Sequence, residues 1–119
     1  MRRTLYVVTY RWGEAASGQI RETYPRHRVH IDQLGQEGGL WLIGTLADAA
    51  TASAADDAGG RASLGGSAMA VFSDLSVAQE FVTNDPYVRE DLIGIGPIQA
   101  WTPIEYTSRE DRSENDKEP

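Results

Sequence analysis

Two side chains in this 119-residue sequence, His27 and His30, could act as a general base near neutral pH, because imidazole alone among side chains has its ordinary pKa there. Other chemistries are excluded. The chain has no Cys, so thiol nucleophiles, disulfides and zinc–thiolate sites are ruled out. Lys117 is the single lysine and lies in a polar terminal stretch, which argues against Schiff-base or pyridoxal chemistry. The glycines show neither G-x-G-x-x-G nor P-loop spacing, so no nucleotide cofactor is indicated. Two histidines at i and i+3 recur in metal sites, but no carboxylate stands at a recognised ligand spacing from them, and neither a metal nor any other cofactor is expected.

Of the two histidines, His27 is the better placed. Ile20, Tyr24, His27, Ile31 and Leu34 recur at intervals of four, three, four and three, the period of one helical face, whereas His30 falls about 60° to its side. His27 therefore points inward, either as a core histidine satisfied by a backbone carbonyl or as a base facing a pocket. With Pro25 at the first helical position and Gly38-Gly39 as the stop, the helix is expected from Pro25 to Glu37. That would put His27 third in the helix, where the positive dipole end favours neutral imidazole. The Asn84-Asp85-Pro86-Tyr87 segment reads as a turn former at a helix end. Trp12, Trp41 and Trp101 could line a pocket, although strand aromatics more often serve a core or an interface.

The elements that must position these residues follow from periodicity. Thr4 to Tyr10 is β-branched and aromatic, Leu40 to Leu46 is nearly continuous in apolar character, and Ser67 to Ser73 and Gly94 to Tyr106 supply two further strands. Pro97 and Pro103 place the last strand at an edge or a bulge. Ser76 and Gln79 match a capping box opening a second helix, with Ala78, Phe81 and Val82 on its inner face, and Tyr87 to Leu92 adds a short helical turn. The order βαββαβ predicts an α+β, ferredoxin-like sandwich with an antiparallel four-stranded sheet and both helices on one face. Leu40 to Leu46 reads as apolar on both sides while two helices cover one, so a homodimer packing sheet against sheet is expected.

Residues 1–106 form the expected domain. Thr107 to Pro119 has no aliphatic or aromatic side chain and is expected to be a disordered acidic tail, while Asp48 to Gly66 reads as one long loop, with a short Ala49 to Ala55 helix as the alternative. A net charge of −7 removes the usual electrostatic support for nucleic-acid binding. No apolar run is long enough to span a bilayer, and the residues after Met1 read as a strand, so no membrane partner and a cytoplasmic location are expected.

Taken together, Tyr24-Pro25-Arg26-His27-Arg28, Glu37-Gly38-Gly39-Leu40 leading to Gly44, Asp85-Pro86-Tyr87-Val88-Arg89, and Ile98 to Trp101-Thr102-Pro103 resemble the YciI-like (YCII-related) proteins. Their pattern runs R-P-x-H, E-G-x-L, a Gly ending the second strand, D-P-F/Y and a closing W-x-P. The match extends from Leu5 to Glu105. The resemblance implies a ferredoxin-like subunit that dimerises as an α/β barrel, and an active-site pair carried over to His27 and Asp85. One family member is a dehydrochlorinase acting on a chlorinated hydroxyquinol. Tyr24 stands where the family usually has Arg, and the 48 to 66 loop is longer than typical.

The expected function is then cofactor-free proton transfer, with His27 as base and Asp85 fixing its tautomer, in elimination, dehydration or isomerisation of a small, ring-bearing or quinonoid substrate. Tyr24, Trp41, Tyr87 and Trp101 are the expected substrate contacts. The rival is a non-catalytic small-ligand-binding or structural dimeric module, which expects a pocket without a His27–Asp85 contact.

Overall fold

The computed structural model describes residues 3–49 and 65–106. Strand β1 (Leu5–Trp12) leads through a single 3-10 turn (Glu14–Ala16) into helix α1 (Ser17–Glu37) and strand β2 (Leu40–Leu46). Strand β3 (Gly66–Phe72), helix α2 (Leu75–Asn84), the short helix α3 (Pro86–Arg89), and strands β4 (Gly94–Ile95) and β5 (Gln99–Trp101) complete the chain. The sheet order is β2-β3-β1-β4 with every pairing antiparallel, the topology of a ferredoxin-like sandwich. The expectations for residues 107–119 and for the body of the 48 to 66 loop, including an Ala49 to Ala55 helix, lie outside the described residues.

Strand alternation sorts the sheet into two faces. Tyr6, Val8, Tyr10 and Trp12 stand opposite Phe72, Ala70, Ala68 and Gly66 across the β1–β3 ladder. Val8, Tyr10, Ala68, Ala70 and Phe72 join Ile20, Ile31, Leu34, Ala78 and Phe81 from the helices in one core. Burying a phenylalanine such as Phe72 or Phe81 contributes about 1.5–3 kcal/mol. Gly38 closes α1 at φ 98°, a left-handed position that glycine adopts without steric cost. Gly39 then passes so close to Val77 that a Cβ there would collide with its side chain, which lets β2 start directly beneath α2.

Helix α1 begins eight residues earlier than expected and runs unbroken through Pro25. Proline suits a first turn but is tolerated inside a helix when packing outweighs a cost of about 3 kcal/mol. Here Ser17, Ile20 and Thr23 are buried upstream of it. His27 is consequently in the middle of the helix, and the expected influence of the positive dipole end is withdrawn, because that effect fades beyond the first turn. The cap of α2 is also corrected. Asp74, rather than Ser76, is the cap, and its carboxylate accepts from the Ser76 backbone N–H at 2.9 Å.

The last strand is split. β4 and β5 both pair with β1, and between them lies Pro97, which has no N–H to give the ladder. Gly96 still donates to the Thr9 carbonyl at 2.9 Å, so the two pieces act as one interrupted edge strand. Strand β2 is the opposite edge, and in the single chain it is not covered on both faces as its composition suggested. Leu40 and Ile43 pack on the core while Trp41, Leu42 and Leu46 are exposed. Gly44 lies within β2, opposite Met69, rather than at its end. A β-bulge explains the pattern: Leu40 pairs with Phe72 and Leu42 with Val71, leaving Trp41 as the extra residue.

Candidate active site

The Asp85 side chain, fully buried between α2 and α3, holds the site together. Its backbone is extended at φ −61°, ψ 137°, as expected before a proline, and Pro86 opens α3 at the position where a missing N–H costs least. One carboxylate oxygen, Oδ1, accepts from the Tyr87 backbone N–H at 2.8 Å and so caps α3. The other, Oδ2, lies 2.7 Å from His27 Nδ1. The Asp85 carbonyl accepts from the Val88 and Arg89 N–H groups, both at 2.9 Å. The turn former read from the sequence and the carboxylate partner implied by the resemblance are the same residue.

His27 is held by packing as well as by this bond. Its ring stacks on Tyr87, with centroids 4.0 Å apart and planes 11° from parallel, and meets the Phe81 ring edge-on at 6.4 Å. Tyr87 in turn donates its hydroxyl to the Ile20 carbonyl at 3.4 Å. Burial in the first place, and the nearby Asp85 carboxylate in the second, push the Tyr87 phenol well above its ordinary value.

A cavity of about 420 Å³ opens beside this pair, walled by Tyr10, Trp12, Tyr24, His27, Thr45 and Tyr87 among others. The volume suits a small organic molecule. A second cavity of about 540 Å³ adjoins it and shares Tyr24, Ile31 and Ile43 with the first. On the exposed rim, Arg28 Nη1 donates to the Tyr24 hydroxyl at 3.2 Å and Arg28 Nε to Asp32 at 3.0 Å. Arg26 pairs with Glu90 across from α1 to the residue after α3, an exposed contact that solvent screens.

His27, Asp85, Tyr24 and Tyr87 are thus brought together. Trp41 lines the second cavity and carries the Arg3 guanidinium over its ring at 4.7 Å. Trp101 lines neither cavity; it is exposed on β5 opposite Leu5, on the sheet face away from the helices. Sequence reasoning did not single out Tyr10 as a site residue, and it weighed Trp12 as a pocket wall against core or interface without placing it among the expected substrate contacts. Their period-two spacing on β1 was the available signal, and it reads equally as core. His30 is partly buried, and its Nε2 finds no hydrogen-bond partner among the described residues. Among the described residues no three His, Asp or Glu side chains gather as metal ligands would.

Comparison with known proteins adds one assignment. The YCII-related domain matches residues 4–102, most of the chain. No curated protein sequence matches. The crystal structure of MupZ from Pseudomonas fluorescens superposes with a TM-score of 0.49 at 17% identity, covering 97% of this chain and 76% of that one, a likeness too slight to bear on activity.

Proposed function

The chain belongs to the YCII-related domain family, and from that premise we propose that it is a cofactor-free enzyme that moves a proton with His27 as general base and Asp85 as its orienting partner. The observation that carries the reading is the buried 2.7 Å contact between His27 Nδ1 and Asp85 Oδ2 at the wall of a cavity. A carboxylate on Nδ1 fixes that nitrogen as the N–H and leaves Nε2 to accept a proton. As Nε2 takes it up, the carboxylate stabilises the imidazolium. The rival ligand-binding module expects no such contact.

Elimination, dehydration and isomerisation all need this one step, removal of a proton from an activated carbon or hydroxyl. The aromatic walls supplied by Tyr10, Trp12, Tyr24 and Tyr87 favour a small ring-bearing or quinonoid substrate. The reading includes a homodimer that covers the sheet face bearing Leu42, Leu46 and Trp101.

The test is a titration of the His27 ring by NMR against a set of phenolic and quinonoid compounds, repeated in Asp85→Asn and His27→Gln. A ligand that shifts the His27 resonances and is turned over by wild type but not by either variant is the expected result. A ligand bound with unchanged His27 resonances, or turned over equally by His27→Gln, would sink the proposal.

A further inference from the structure

A base alone does not complete proton abstraction beside a carbonyl, because the electron pair released must rest on an oxygen. When Nε2 of His27 takes the proton, the C–H bond breaks and an N–H bond forms. The C–H pair becomes a C=C bond, and the former carbonyl π pair moves onto the oxygen. A neutral hydrogen-bond donor aimed at that oxygen lowers the barrier, provided it lies in the same water-poor cavity.

Three phenols stand in the wall of the first cavity. The Tyr87 hydroxyl is committed to the Ile20 carbonyl, 3.4 Å away. Tyr24 is 45% exposed, and its oxygen already accepts from Arg28. Tyr10 is different. It is 6% exposed, reaches the cavity from the sheet, opposite α1, and its ring packs on Phe81 at 5.8 Å, the same phenylalanine that His27 meets at 6.4 Å. We propose that Tyr10 is a further catalytic residue, donating its hydroxyl hydrogen bond to the substrate oxygen that gains charge as His27 removes the proton. This rests on the proposed role of His27.

The electrostatics fit a donor. Burial first, then the Asp85 carboxylate, then Tyr87 and Tyr24 push the Tyr10 phenol far above its ordinary value, so it keeps its proton throughout the neutral range. The charged and titratable groups around the cavity are His27 and Arg21 from α1, Asp85 behind His27, and the two other tyrosines. Tyr10 is therefore suited to give a hydrogen bond rather than to take a proton, the complement of His27.

4-Nitrophenol provides the test, because its absorbance reports whether the bound molecule is phenol or phenolate. In the full chain, transfer of its proton to His27 leaves a phenolate oxygen of the kind Tyr10 would serve. Wild type is expected to bind it saturably with its ionisation shifted toward phenolate. Tyr10→Phe keeps the ring and its packing on Phe81, and should weaken that shift by about 10- to 100-fold in the ionisation constant, the scale of one hydrogen bond to a charged group. Placing 3-fluorotyrosine at position 10 makes a stronger donor and should move the equilibrium the other way. A purely structural tyrosine would leave both unchanged. Equal bound spectra in wild type, Tyr10→Phe and the fluorinated protein, all folded by circular dichroism, would overturn the role of Tyr10. A shift toward phenolate in His27→Gln equal to that in wild type would instead overturn the base. Absence of saturable binding at millimolar probe would overturn the donor assignment outright.

Discussion

His27 and Tyr87 stack face to face, 4.0 Å apart, and one carboxylate holds both: Asp85 Oδ2 on the His27 ring and Oδ1 on the Tyr87 backbone. The ring plane of the proposed base is thus fixed by packing and its tautomer by charge. Because the same side chain caps α3, local folding and chemistry share one residue.

Asp85 substitutions should separate those two roles. Asp85→Asn keeps an acceptor for the Tyr87 N–H and removes the charge behind His27, so turnover should fall roughly 10²- to 10⁴-fold with a modest loss of stability. Asp85→Ala removes both bonds and should cost about 2–5 kcal/mol, combining a lost cap with a broken buried pair. Urea denaturation of the two variants checks the order.

His30 should be dispensable. Its unpartnered Nε2 is a buried polar atom that costs stability rather than adding to it. His30→Leu is expected to unfold at the same or a higher urea concentration than wild type, and His30→Gln to retain turnover within a few-fold. Damage equal to that of His27→Gln would contradict this.

At alkaline pH the buried phenols should lag behind. Tyr10 and Tyr87 have raised values in the folded chain, so their contribution is intact below about pH 10, the ordinary tyrosine value, and drains away as pH climbs above it and the unfolded state ionises first. Ultraviolet titration should show the Tyr10 and Tyr87 phenols ionising only with unfolding. Early ionisation of all five tyrosines in the chain would refute their burial.

In acid the sign reverses. The Ser76 hydroxyl, then its backbone N–H, hold the Asp74 carboxyl below its ordinary value. Its contribution is therefore present above about pH 4 and is lost as pH falls through the lower folded value. The stability difference between wild type and Asp74→Ala should shrink across that fall, measured as urea midpoints at successive pH values.

The exposed β2 edge gives the last expectation. Leu42 is 67% exposed in the single chain, beside Leu46 on the face away from the helices. If a second copy covers it, wild type should scatter light as a dimer and Leu42→Asp should shift it toward monomer. A wild-type monomer at micromolar concentration would rule the dimer out.

What could be read in the sequence was what is local and periodic. The strand alternation and the inward stripe ending at Leu34 gave the topology and the orientation of His27. Pro25 concealed the first two turns of α1, because a proline at a helix start and one tolerated within a helix look alike until the burial of Ile20 and Thr23 is known. The bond between His27 and Asp85 spans 58 residues, and no local spacing encodes it. Tyr10 was hidden for another reason: a strand residue facing a cavity and one facing a core have the same alternation.

The bulge at Trp41 means that β2 is one residue longer than its ladder requires. Leu40 remains opposite Phe72 and Leu42 opposite Val71, so excising position 41 would join two already paired neighbours without moving any residue downstream to the other face. Most single-residue deletions within a strand reverse every side chain beyond them. At this position the sheet should accept the shorter chain in its existing register, giving up chiefly the contact of Arg3 with the indole ring.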